Sequence, residues 1–278
     1  MHALRGIKLT LSVLVTAAAI GYSVGPVRAQ QKEELDLELL TWQELKKAIH
    51  EQGKTTALVF NGGTEQRGPQ GVTGAHTFVA KAVGLEIAHK LGNAILAPVL
   101  PFSINRASSA LPGTIGLSSE AFAAVNQEVA EQLLTNGFTN VVLLGDHGGG
   151  QRELKDVAER LNTKYAAQGK HVVYCADVYR KAGSEFNKWL TAHNLPVGQH
   201  ASIKDTSELL YLEGNRAWIR KEQLPTAVGN GGGGEEGGNG ISGDARKSSP
   251  EIGKVISGMK VDFAVEEIRK LLAEKPAK

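Results

Sequence analysis

Four short runs of the chain are apolar almost without interruption: TTALVF at 55–60, AILAPVLPF at 94–102, NVVLLGD at 140–146 and HVVYCADVY at 171–179. None alternates as a strand with one wet face does, so each predicts a strand buried on both sides. Between them the apolar positions change to helical spacing. TWQELKKAIHEQ (41–52) predicts a helix with Thr41 as N-cap and Glu44 as its capping-box partner. FVAKAVGLEIAHKLG (78–92), SSEAFAAVNQEVAEQLLTNG (118–137) and QRELKDVAERLNTKYAAQG (151–169) follow, the last two closing on glycine as helix C-termini do. VDFAVEEIRKLLAEK (261–275) predicts a final surface helix with Val261, Ala264, Ile268 and Leu271 along one face. Strand alternating with helix predicts an α/β fold, a three-layer α/β/α arrangement around a mainly parallel sheet. Ligands in such folds bind beyond the carboxyl ends of the strands. That rule singles out the loops after TTALVF and after NVVLLG. The run GNGGGGEEGGNGISGDARKSS (229–249) predicts an exposed flexible loop that packs no core.

Composition narrows the function. With 278 residues, 41% hydrophobic and 22% charged, the chain suits one large domain, taken as residues 30–278. A net charge of +2, with Lys and Arg spread evenly, excludes a nucleic-acid or membrane-surface partner as the expected class. The first 29 residues read as a signal peptide: charged MHALRGIK, apolar LTLSVLVTAAAIG, then VRA before the expected cleavage after Ala29. The apolar run is short of the roughly 20 residues that span a bilayer, so the mature chain is expected to be exported, periplasmic or extracellular, without a membrane anchor. Cys175 is the sole cysteine, so no intramolecular disulfide forms, and its apolar setting predicts a buried structural thiol.

The chemistry-bearing residues gather in the two singled-out loops. Glu65 and His76 lie in NGGTEQRGPQGVTGAHT (61–77), and His147 lies in DHGGG beside glycines that let backbone approach a ligand. Asp205 and His200 lie in GQHASIKDTSELL. Two imidazoles and two carboxylates from separate loops, Glu65, His76, His147 and Asp205, make a donor set for zinc or manganese. A serine hydrolase is disfavoured because the chain has no G-x-S-x-G elbow, and a nucleotide site because GDHGGG lacks both G-x-G-x-x-G spacing and a following Gly-Lys-Ser/Thr.

The loop GGTEQRGPQGVTGAHT resembles the metal loop of the creatininase (creatinine amidohydrolase) family, whose pattern is roughly G-S-T-E-Q-H-G-P-H-L-P-L-G-T-D-T. Further segments agree in order: APVLPF with LPGTIGLS, VVLLGDHGGG, GQHASIKDTSELL and ISGDARKSSPEIGK. The resemblance covers most of residues 37 to 275 and implies a creatininase-like fold, a metal-dependent amidohydrolase, a small-molecule amide substrate and a homo-oligomer, a hexamer in that family. It places Glu65, His147 and Asp205 at ligand positions and His200 at the histidine associated with catalysis. Arg67 stands where the family has a histidine ligand, His76 where it has the aspartate that bridges two metals, and Gln70 replaces a further histidine. The region SINRASSA lacks the histidine often found there.

An imidazole offers one lone pair and cannot bridge two cations, so these changes predict one divalent ion, with the Arg67 guanidinium in the second ion's place. An ion with an open position acidifies water for attack on an amide carbon. Arg67 would then stabilise the oxyanion, and His200 would carry a proton to the leaving nitrogen. The expected substrate is a small cyclic amide. The alternative is a catalytically silent binding or structural protein on the same fold.

Overall fold

The computed structural model describes residues 33–105, 109–231 and 234–273, so the signal segment and its cleavage site lie outside the described residues. Four parallel strands, β1 (Thr56–Asn61), β2 (Ala94–Leu96), β3 (Asn140–Gly145) and β4 (His171–Tyr174), form a sheet in the order β2-β1-β3-β4. Seven α-helices among the described residues accompany them: α1 (Trp42–Glu51), α2 (Ala75–Leu91), α3 (Ser119–Thr135), α4 (Gln151–Tyr165), α5 (Arg180–Ala192), α6 (Ile203–Leu212) and α7 (Pro250–Ala273). All of them belong to one compact unit, Glu34–Lys278.

The uninterrupted apolar runs are explained by cover on both faces. Leu58 and Phe60 of β1, with Val142 and Leu144 of β3, pack into a core shared with α2, α6 and α7. Their neighbours Ala57, Val59, Val141 and Leu143 point the other way, into a core shared with α1, α3 and α4. Successive side chains of a strand leave by opposite faces, so both cores draw on the same few residues. The expected three-layer α/β/α arrangement is the one observed.

Several boundaries move. AILAPVLPF pairs only over Ala94–Leu96, and HVVYCADVY only over His171–Tyr174, where Tyr179 already caps α5. Cys175 is buried, as expected. Helix α2 begins three residues before the expected FVAKAVG start, which places His76 in its first turn. Helix α7 begins at Pro250, eleven residues before the expected VDFAV start. No helix among the described residues is long and apolar enough to cross a membrane.

The glycine-rich segment departs from expectation. Ile241 and Ala245 are buried with Ala201 and Ala227, and Val228 pairs with Asp244. The second half of 229–249 therefore packs a small core, because its few apolar residues are enough to anchor the flanking glycines against α6.

Candidate metal centre

The loop after β1 and the loop after β3 meet at the carboxyl end of the sheet, where the strand topology directs them. Gly62 ends β1 against the first turn of α2, so closely that a Cβ there would stand 2.6 Å from the Thr77 Cα. That approach brings His76 beside Glu65. The β3 loop is pressed in the same way: a Cβ on Gly149 would lie 2.0 Å from the Ile104 carbonyl oxygen. Only glycine fits at either point.

Glu65, His76 and His147 form a cluster whose candidate ligand atoms all lie within 4.8 Å of one another. Glu65 Oε2 is 3.3 Å from His76 Nε2 and 3.4 Å from His147 Nε2. A tetrahedral ion with bonds of roughly 2.0–2.1 Å sets its ligands about 3.3–3.4 Å apart, so the spacing suits one zinc-sized cation with an open position. His76 Nδ1 donates to Asp146 Oδ2 at 2.7 Å, which leaves the Nε2 lone pair facing the cluster.

Two hydrogen bonds oppose occupancy in this arrangement. Arg67 Nη2 donates to His76 Nε2, the atom an ion would take. The Gly149 N–H donates to His147 Nδ1 at 2.9 Å, which puts the ring proton on Nε2, towards Glu65. Loading an ion therefore requires the Arg67 guanidinium to shift and the Gly149 amide to turn. The donor set fits one ion once those two contacts yield.

Asp205 stands outside the cluster. It sits in the first turn of α6, where it shares a capping box with Ser202, and its Oδ2 is 3.6 Å from Arg67 Nη1. Arg67 Nη2 is 3.6 Å from Glu65 Oε2, so the guanidinium lies between the two carboxylates. It also donates to His200 Nδ1 at 3.3 Å. His200 is held in place by an antiparallel bridge to Ser242 of the glycine-rich segment, and its Nε2–H donates to the Gln66 carbonyl at 2.9 Å. Together with Tyr179, Gln199 and Ile256, these groups line a cavity of about 240 Å³.

The electrostatics follow from burial and the fixed cation. Burial raises the Glu65 carboxyl, but the His147 hydrogen bond and the Arg67 charge outweigh it and hold the group well below the usual carboxylate range. Burial and Arg67 push His76 down to about 3, so its ring is neutral, as a ligand must be. Burial and Arg67 also lower His200. As a proton carrier, His200 would therefore start uncharged and take a proton before passing one on.

Sequence reasoning missed Asp146, Lys260 and Glu208. Asp146 Oδ1 accepts from Lys260 Nζ at 2.6 Å, and Lys260 also donates to Glu208 Oε2 at 2.6 Å. Burial raises the Asp146 carboxyl, but the Lys260 charge and the His76 hydrogen bond outweigh it, and the group stays ionised. The available signal was Lys260 itself, four residues from Ile256 and from Ala264, which places a charge on the apolar face of α7.

Comparison with known proteins identifies the family and the fold. The family model for creatinine amidohydrolase (creatininase) matches residues 38–271. A crystal structure of creatinine amidohydrolase superposes with a TM-score of 0.70 at 18% identity, covering 89% of this chain and all of the other. A structure described as creatininase Mn gives 0.69 at 19% identity over 88% of this chain and all of its own. A creatininase mutant complexed with creatine gives 0.70 at 18% over 87% of this chain and all of its own. No curated protein sequence matches the chain.

Proposed function

Because the chain belongs to the creatininase family, whose members are metal-dependent amidohydrolases, we propose that it is an exported hydrolase of a C–N bond in a small cyclic amide. It works with one divalent ion, zinc or manganese, held by Glu65, His76 and His147. The observation that carries this reading is the convergence of those three donors from the loop after β1, the first turn of α2 and the loop after β3, with Glu65 at tetrahedral spacing from both imidazoles. When bound, the ion supplies charge that acidifies a water nucleophile.

The protein's own groups supply the rest. Arg67, wedged between Glu65 and Asp205, balances their charge and offers N–H donors to an oxygen that becomes negative as the amide carbon is attacked. His200, kept uncharged by burial and Arg67, takes a proton first and then carries it to the leaving nitrogen. Tyr179, Gln199 and Ile256 wall the cavity. Export follows the signal-peptide reading of residues 1–29, and N-terminal sequencing of the mature protein checks cleavage after Ala29.

A second reading, a catalytically silent relative, draws support from one contact: Arg67 Nη2 occupies the His76 lone pair. The two readings part in an assay of the zinc- or manganese-loaded protein against a panel of lactams and cyclic ureas beginning with creatinine. Hydrolysis that is lost in His147→Ala and in Glu65→Gln supports the enzyme. A folded, loaded protein that turns over none of them favours the silent relative.

A further inference from the structure

We propose that Lys260, on α7, is a positioning residue for the ion-binding face of His76, acting through Asp146. The inference rests on the reading of His76 as a ligand. A ligand histidine needs one tautomer and one ring plane, and a hydrogen bond to its second nitrogen sets both. Asp146 makes that bond, yet Asp146 sits on the glycine-rich loop after β3, where backbone alone constrains a side chain little. Lys260 supplies the constraint. Its ammonium donates to Asp146 Oδ1 at 2.6 Å and to Glu208 Oε2 at 2.6 Å, while Glu208 Oε1 accepts from Ser257 Oγ at 3.2 Å.

All four groups are buried: Asp146 is 4% exposed, Glu208 2%, Ser257 6% and Lys260 6%. A buried ammonium between two carboxylates is a poor device for stability alone, since apolar residues of similar volume often serve as well or better. It is a good device for direction, because the two carboxylates fix where the ammonium sits and it fixes the free oxygen of Asp146. The position is set by packing as well. Gly253 of α7 approaches the Ser207 carbonyl of α6 so closely that a Cβ would lie 1.9 Å away, which locks the helix carrying Lys260 against the helix carrying Glu208. The chain of contacts thus runs from α7 and α6 through the β3 loop to His76 on α2.

The test uses the full mature chain with Lys260→Met. Nitrogen-15 NMR of the chelator-treated protein reads the His76 tautomer, and chelator competition reads zinc affinity. The wild type is expected to show the single Nδ1–H tautomer. The variant is expected to bind zinc about 10–100-fold more weakly, the usual effect of removing a support behind a ligand, and to lose the tautomer once Arg67→Met also removes the donor facing His76 Nε2. An unchanged tautomer with zinc affinity within about twofold of wild type overturns the proposal. Should Lys260→Met fail to fold, the double variant Lys260→Met, Glu208→Leu, which removes the ion pair together, is read by the same two measurements and the same criteria. A wild type that binds no zinc defeats the ligand reading, whereas the tautomer still decides whether Lys260 directs the His76 ring.

Discussion

Replacing Arg67 with methionine removes a fixed charge from the centre while keeping most of the side-chain volume. Arg67 is 4% exposed and stands 3.6 Å from Glu65 Oε2, 3.6 Å from Asp205 Oδ2 and 3.3 Å from His200 Nδ1. Its loss takes the guanidinium from between the buried Glu65 and the half-buried Asp205, which keeps Lys204, 3.9 Å from its Oδ1, as a neighbouring cation. Removing one partner of a buried ion pair costs about 3–5 kcal/mol. At roughly 2–4 °C per kcal/mol for a domain of this size, the ion-depleted variant should melt about 6–20 °C below wild type. The same substitution frees the His76 lone pair and leaves the carboxylates seeking charge, so zinc should bind the variant more tightly than wild type. Zinc at a hundred times its dissociation constant should return about 2.7 kcal/mol. Thermal melts of both proteins, with chelator and with a zinc titration, measure each part. A variant that melts with wild type, or that binds zinc no better, would refute the assignment of Arg67 as a guanidinium in a cation's place.

Acid should weaken the ion-depleted protein earlier than carboxylates alone would. His76 is held at about 3 against an ordinary 6.5, so between those values the unfolded chain carries a proton the folded chain lacks, and stability falls as pH drops through that window. Glu65 and Asp146 are depressed as well, and their contribution, present above about pH 4, disappears below it. Urea midpoints that stay level from pH 6.5 to 4.5 would count against a buried neutral His76. Gly253→Ala, favourable in most helices, should cost about 1–3 kcal/mol here because its methyl would meet the Ser207 carbonyl at 1.9 Å and force α6 from α7; an unchanged denaturation midpoint would show that the helices part freely. Thr41→Ala removes the hydroxyl that accepts from the Glu44 N–H, one half of the α1 capping box, and should cost about 1 kcal/mol without altering zinc affinity, since α1 lies against the sheet face away from α2; chemical denaturation beside a zinc titration separates the two effects.

The sheet was legible because parallel strands covered on both sides are apolar with little alternation, as Ala57 to Phe60 and Val141 to Leu144 are. What the residues alone could not show was where pairing ends. AILAPVLPF looks extended throughout, yet Pro98 cannot donate to a ladder and the strand stops at Leu96. The HVVYCADVY run hid a turn ahead of α5, since Cys175 and Val178 in that turn are as fully buried as strand residues. Glu65, His76 and His147 could be named from their places after strands, because topology decides where those loops meet. Asp205 could not be sorted from them: its carboxylate is of the right type, and only the fold shows Arg67 standing between. Lys260 lies 114 residues from Asp146 and 52 from Glu208 along the chain, and no local pattern relates residues that meet only through packing. The glycine-rich run was judged by its majority composition, whereas Ile241 and Ala245 within it decide how it sits.

The central claim is one divalent ion per chain at Glu65, His76 and His147, and elemental analysis of the mature protein, purified without a polyhistidine tag or chelator, tests it most directly. The account predicts about one zinc or manganese per chain in the wild type and none in His147→Ala, with both proteins folded by circular dichroism. No stoichiometric ion after incubation with either metal, or an ion that His147→Ala retains, would contradict it.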